Sequence, residues 1–365
     1  MEFISNYNKR SLNIELLRIV CMIMVVIGHA TISSGYLNSD NLFMSNISWI
    51  VMAFVSVSVN CYFLITGYFG EQQKFKSSKI VSLWGQTIFY SSVIAITICI
   101  FNNAYSLTSK NVICMLFPMI FKQYWFIQTY VVLLLIRPVL NIILSNINFI
   151  QFCYLLSIGL LFFSIHETFI PVAYTLDSTQ GYGIIWAIYM YFVGAFIHRY
   201  FLCSRLPKQL LIYFCMYFFI SILVFVSNYL IVKFDVAGGV RSRGNFYAYN
   251  SLSMFAASIS FFVCFILLNV KENLCVKKII LFFSKTAISV YLISAHPMLF
   301  NSIWNYSLDV VHFEREFLCF LEIFLISILV YIICSFIDFL RYIIFFKFSN
   351  FVFDRCCSKL DLVWK

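Results

Sequence analysis

The chain has 365 residues, 62% of them apolar or aromatic and only 11% charged, with a mean hydropathy of +0.91. Soluble domains carry about 25% charged residues, so the polar surface needed to cover a water-exposed globule is missing, and 43 Phe and 23 Tyr exclude a disordered or collagen-like chain. The net charge of +10 would suggest a nucleic-acid partner in a soluble protein; in a membrane protein, basic loops held on the cytoplasmic side account for it, and no nucleic acid is expected.

A hydrocarbon core about 30 Å thick needs about 20 helical residues per span. In chain order, apolar windows predict spans at about 12–34, 47–69, 80–101, 124–145, 149–165, 183–200, 209–232, 249–270, 286–306 and 316–340. The fifth and sixth are short, and 111–123 reads as an interfacial or re-entrant helix. With alternate loops on opposite sides, most Lys and Arg fall on one side; Lys110, Lys122, Lys233, Arg241, Arg243 and Arg315 alone fall on the other. The bias predicts cytoplasmic N- and C-termini. The expected fold class is all-α, a polytopic integral membrane bundle of about ten transmembrane helices. Residues 1–365 read as a single membrane domain with no separate soluble domain, and the first span reads as an uncleaved anchor because it carries Arg18 and lacks a small-residue cleavage site. Of the 13 Cys, those inside apolar runs read as small hydrophobes, and no metal-ligand spacing is present.

Ionisable groups inside a span are costly and mark candidate sites. The first span has three: Glu15, Arg18 and His29. Glu15 and Arg18 are at i,i+3, where an ion pair forms. Arg18 and His29 are eleven residues apart, which at about 100° per residue returns to nearly the same face about 16 Å along the axis. Arg keeps its charge and offers forked donors to a phosphate or a thioester carbonyl; His transfers protons or carries an acyl group near neutral pH. The spacing alone leaves open a plainer reading, in which Glu15 and Arg18 reach back to the interface and His29 hydrogen-bonds a neighbouring helix.

The run Asn13–Ala30, a basic residue followed by ten residues and His, resembles the opening motif of the membrane acyltransferase-3 family. CYFLITGYFG at 61–70 is similar to that family's second-span end, and QYWFIQTYVVLLLIRPVLN at 123–141 to its Trp-Phe-led, Pro-ended fourth span. FYAYNS at 246–251 and SVYLISAHPMLFNSIW at 289–304 resemble the subset that modifies capsule, exopolysaccharide or lipopolysaccharide sugars. The resemblance covers nearly the whole chain and depends on the order of its motifs more than on any one of them. It implies an O-acetyltransferase of the bacterial cytoplasmic (inner) membrane. Acetyl-CoA or another acyl-CoA is the donor, and a hydroxyl of a cell-surface polysaccharide or its lipid-linked precursor is the acceptor. No permanently bound cofactor or metal is implied, and lipid and glycan-assembly proteins are the expected partners. The family's essential basic residue and His fall on Arg18 and His29. Where relatives of the subset often have His directly after Tyr-Leu-Ile, this chain has Ser294, with His296 two positions on; Arg137 stands where a small residue commonly precedes the Pro.

The remaining candidates each have two readings. Lys74, Lys76 and Lys79 hold CoA phosphates or simply obey the charge bias. Arg137 contacts phosphate or anchors its span, and Tyr124 and Trp125 belong to an interfacial aromatic belt or stack on sugar. His166 with Glu167 and His198 with Arg199 read as interfacial, while His312, Glu314, Arg315 and Glu316 read as a solvated loop. Arg241 and Arg243, against the charge bias, suit a solvated loop or an anionic glycan. A membrane bundle of this kind also fits two rivals, a polysaccharide transporter or flippase and a surface-glycan polymerase.

Overall fold

Helices begin where a short polar side chain replaces a missing backbone partner. In the computed structural model, Asn41 accepts from the N–H groups of Phe43 and Met44, Asn273 from Cys275, and Ser251 from Met254. Asn148 and Gln151 cap each other reciprocally, at 2.9 Å in both directions. The structure describes residues 11–71, 73–101, 108–170, 174, 176, 179–201, 207–234, 245–271, 273–310 and 316–357. Lys9, Arg10, Arg241, Arg243, His312, Glu314 and Arg315 lie outside the described residues, as do the two termini.

Among the described residues the chain is helical, without strands. The α-helices are α1 (Leu12–Ser33), α2 (Leu42–Val55), α3 (Val57–Gly70), α4 (Ser77–Phe101), α5 (Ser109–Leu116), α6 (Trp125–Asn146), α7 (Phe149–Leu160), α8 (His166–Phe169), α9 (Ile184–Tyr200), α10 (Pro207–Phe234), α11 (Leu252–Leu267), α12 (Leu274–Ser294), α13 (Pro297–Val310) and α14 (Glu316–Cys357). The backbone satisfies its own hydrogen bonds in this way, as a lipid setting requires.

Among the described residues, seven stretches are long and apolar enough to cross a membrane: Leu12–Ser33, Leu42–Gly70, Ser77–Phe101, Trp125–Asn146, Phe149–Phe169, Gln209–Phe234 and Phe320–Ile344. An eighth is α12 with Pro297–Trp304 of α13, which meet at a bend of 92°. α9 and α11 are apolar but only 17 and 16 residues long. Every predicted window thus has a helical counterpart, but the membrane-length criterion is met by seven or eight of them.

The differences have local causes. The second window starts earlier, at Leu42, and joins two helices end to end at Ser56, whose hydroxyl is tied back to the Met52 carbonyl at 2.7 Å. The fifth is longer than predicted because a π-helical turn over Leu161–Ile165 carries it on to Phe169. The ninth breaks where Pro297 can supply no backbone donor, and the freed end is held by His296. The segment predicted as interfacial or re-entrant contains α5, followed by turns up to α6.

α1 is the hub and packs against α2, α3, α11, α12, α13 and α14. α3 and α9 approach each other closely. A Cβ on Gly67 would sit 2.0 Å from the Tyr191 carbonyl oxygen, and one on Gly194 would sit 2.4 Å from that of Leu64. The two helices therefore touch backbone to backbone, the contact that small residues permit between membrane helices. α10, by contrast, exposes Leu211, Phe214, Phe218, Phe219 and Leu223, a face suited to lipid.

Candidate active site

Two cavities adjoin α1. The larger, about 440 Å³, is lined by Glu15 and Arg18 of α1, Tyr62 and Thr66 of α3, Lys79 of α4, Arg137 of α6 and Lys285 of α12, among others. Glu15 is buried and its Oε1 accepts from the Arg18 guanidinium at 3.1 Å, which fixes the guanidinium against the helix. Arg137 is buried as well and donates to the Lys74 carbonyl at 3.2 Å. Four basic side chains and one carboxylate therefore share one space, an arrangement suited to a polyanion.

The smaller cavity, about 80 Å³, is lined by His29 and Gly28 of α1, Met52 and Val55 of α2, Val59 of α3, Trp125 of α6 and Tyr249, among others. His29 Nδ1 is buried with no hydrogen-bond partner among the described residues. Its ring meets Phe300 edge-on at 5.5 Å and Tyr291 at 6.3 Å. An imidazole nitrogen left unpaired in an apolar setting is costly unless a substrate group supplies the missing partner.

Of the residues that line this cavity, Trp125 packs on Tyr182 at 4.4 Å and stacks on Tyr249 at 5.9 Å. Asn60 supports the Tyr249 segment from below: its amide donates to the Tyr249 carbonyl at 2.8 Å while its oxygen accepts from Trp186 Nε1 at 2.8 Å. Burial pushes the Tyr249 phenol well above its ordinary pKa, so its hydroxyl keeps its proton.

The two cavities share a wall. Met22, Tyr62, Phe126 and Tyr291 line both. The Tyr62 hydroxyl donates to the Arg18 backbone carbonyl at 2.7 Å, and Phe126 meets Tyr62 at 5.7 Å and Tyr291 at 5.9 Å. Because α1 is unbroken from Leu12 to Ser33, Arg18 and His29 are about 16 Å apart along its axis, one on each side of the wall.

Of the candidates picked out in the sequence, the structure gathers Glu15, Arg18, Lys79 and Arg137 around the larger cavity and His29 and Trp125 around the smaller. Lys76 is exposed and lines neither. Tyr124 is fully buried and also lines neither; its hydroxyl is used on the Leu292 carbonyl at 3.0 Å. His296 is a structural clamp: Nδ1 accepts from the Met298 N–H at 3.2 Å, and Nε2 lies 3.3 Å from the Ser91 carbonyl. The adjacent Ser294 hydroxyl is buried without a partner among the described residues. Arg199 forms a forked pair with Glu71, with Nε to Oε2 at 2.8 Å, away from both cavities. Lys285, Tyr62, Tyr249 and Tyr291 were not singled out as site residues in the sequence: the three tyrosines lie inside the quoted segments 61–70, 246–251 and 289–304, and Lys285 counted only toward the charge bias.

Among the described residues, no group of three or more His, Cys, Asp or Glu is placed to hold a metal ion. A family model described as an acyltransferase domain matches residues 11–339, which contain every residue of both cavities named above. No curated protein and no solved structure matches the chain.

Proposed function

The chain belongs to the acyltransferase-3 family and is a multi-pass membrane acyltransferase, and from that premise we propose that it transfers acetyl from acetyl-CoA to a hydroxyl of a cell-surface polysaccharide or its lipid-linked precursor, in a bacterial cytoplasmic membrane. The observation that carries this reading is the pair of cavities on α1, a cationic one at Arg18 and a small one at His29, separated only by a shared wall. The Arg18 cavity opens toward the cytoplasm and receives the donor. Arg18, Arg137, Lys79 and Lys285 face the phosphates of CoA there.

The acceptor approaches His29 from the opposite side, past Trp125, Tyr182 and Tyr249, whose rings suit the C–H face of a sugar. His29 then serves one of two routes. As a general base it takes the proton of the sugar hydroxyl while that oxygen attacks the thioester carbonyl; the carbon–sulfur bond breaks and the CoA thiolate leaves, to be protonated by solvent. As a carrier, its nitrogen attacks the carbonyl and releases CoA, and the sugar oxygen then displaces the imidazole. Both routes need a histidine nitrogen not taken up by a protein hydrogen bond, and Nδ1 has no such bond among the described residues.

The test is His29→Ala and Arg18→Ala in cells that make each variant at normal level. Loss of alkali-labile acetyl esters, with glycan amount and length intact, is the expected result. Loss of the surface glycan itself would instead identify a transporter or flippase, and shortened chains a polymerase.

A further inference from the structure

The donor carries two very different parts, a polyanionic nucleotide and a short neutral acyl thioester, and the protein offers two very different spaces. Between them stand Met22, Tyr62, Phe126 and Tyr291, which face both. None of these four carries a charge at neutral pH, and none offers a cation to a phosphate. A charged group crossing such a wall loses its hydration with nothing to replace it, whereas an acyl chain loses little. Met22 is the pliable member, since an unbranched thioether adapts its shape to what passes. Tyr62 is the fixed one, held by its hydrogen bond to the Arg18 carbonyl at 2.7 Å.

We propose that this wall, with the small space behind it, is the filter that selects the acyl group: it admits a short neutral chain toward His29 and holds the nucleotide on the Arg18 side. The inference rests on the transfer reading above and assigns specificity to residues outside the Arg–His pair. Two features set the limit on chain length. The Tyr62, Phe126 and Tyr291 rings, packed edge to face at 5.7 and 5.9 Å, must part to let a chain through and so limit its width, and the cavity of about 80 Å³ behind them limits length. Without such a limit, each added methylene would favour the bound donor about fourfold through burial, and longer acyl groups would win.

Gly28 provides the opposite control. It lines the smaller cavity, and a Cβ there would meet Val55 Cγ2 at 3.6 Å, an ordinary contact, so an alanine methyl at 28 narrows the acyl space without forcing the helices apart.

The experiment uses native membranes from cells lacking the chromosomal copy and supplied with the full chain. Radiolabelled acetyl-, butyryl- and hexanoyl-CoA are the donors, and alkali-labile label in the carbohydrate fraction is the readout. Phe126→Ala, Phe126→Leu and Met22→Ala are expected to raise the hexanoyl-to-acetyl ratio, by about tenfold for the first, and Gly28→Ala to lower the butyryl-to-acetyl ratio. Tyr62→Phe, which keeps the ring but releases it from the Arg18 carbonyl, should raise the hexanoyl-to-acetyl ratio by less than Phe126→Ala does. An unchanged ratio in the widened variants overturns the filter, as does loss of transfer from every donor in all of them at normal abundance. A wild-type chain that transfers no label from any acyl-CoA overturns the transfer reading itself.

Discussion

The Arg18 cavity and the His29 cavity lie on one helix and share a wall, yet they differ in almost every other respect. The first is about 440 Å³ and ringed by Arg18, Arg137, Lys79 and Lys285; the second is about 80 Å³, with His29 placed among Met, Val and aromatic side chains. A space five times larger with four cations suits a ligand that is bulky and anionic. A small one with a single unpaired imidazole nitrogen suits a bond-making step from which water is excluded. One helix can therefore hold and react at its two ends without either task compromising the other.

That division predicts different kinetic signatures on the two sides of the wall. His29→Ala should lower kcat for acyl transfer by about 10²–10⁴-fold, the range for a lost general acid–base group, with the acyl-CoA KM little changed. A matching rise in KM would mean that the imidazole binds the donor and would break the comparison. Arg18→Ala should act the other way. Losing a charge-assisted contact of about 1.5–3 kcal/mol raises the acyl-CoA KM by about 10–100-fold, and Arg18→Lys should fall between, because it restores charge without the fork.

Lys79→Ala and Arg137→Ala should each raise that KM by a few-fold. Adding salt should raise the wild-type KM as well, and less steeply in either variant because a cation is already missing. An equal salt response in all three would remove these two from the donor site. The smallest effect is expected from Trp125→Leu, a rise of about 2–10-fold in acceptor KM from a lost ring contact of about 0.5–1.5 kcal/mol, with no change toward acyl-CoA.

The two cavities were unequally legible in the sequence. The stripe on α1 was readable because a single helix obeys a fixed angular step, so the spacing of Glu15, Arg18 and His29 was already a statement about one face. Lys79 and Arg137 were readable as cations near span ends, although only tertiary packing brings them to the same space. The wall was not readable. Tyr62, Phe126 and Tyr291 come from three different helices, and each is one aromatic residue among many in an apolar run, with nothing local to distinguish it. Tyr124 and Trp125 show the limit most sharply: Tyr124 is the non-helical residue that precedes α6 and Trp125 is the first residue of that helix, so the two neighbours face different surroundings. Composition alone could not tell that Tyr124 is buried on the Leu292 carbonyl while Trp125 reaches a cavity. The break before Pro297 was not read from the sequence, where 286–306 ran as one span; the 92° bend is where His296 accepts from the Met298 N–H of α13 and lies against the Ser91 carbonyl of α4.

The contact between α3 and α9 carries a consequence of another kind. At Gly67 and Gly194 there is no side chain left to trim and no room for one to grow, so natural variation has no means of adjusting that spacing. Room for change in the smaller cavity lies on the far flank, where α2, α6 and the Tyr249 segment line it with side chains that can be trimmed or enlarged, while this crossing stays an immovable keel.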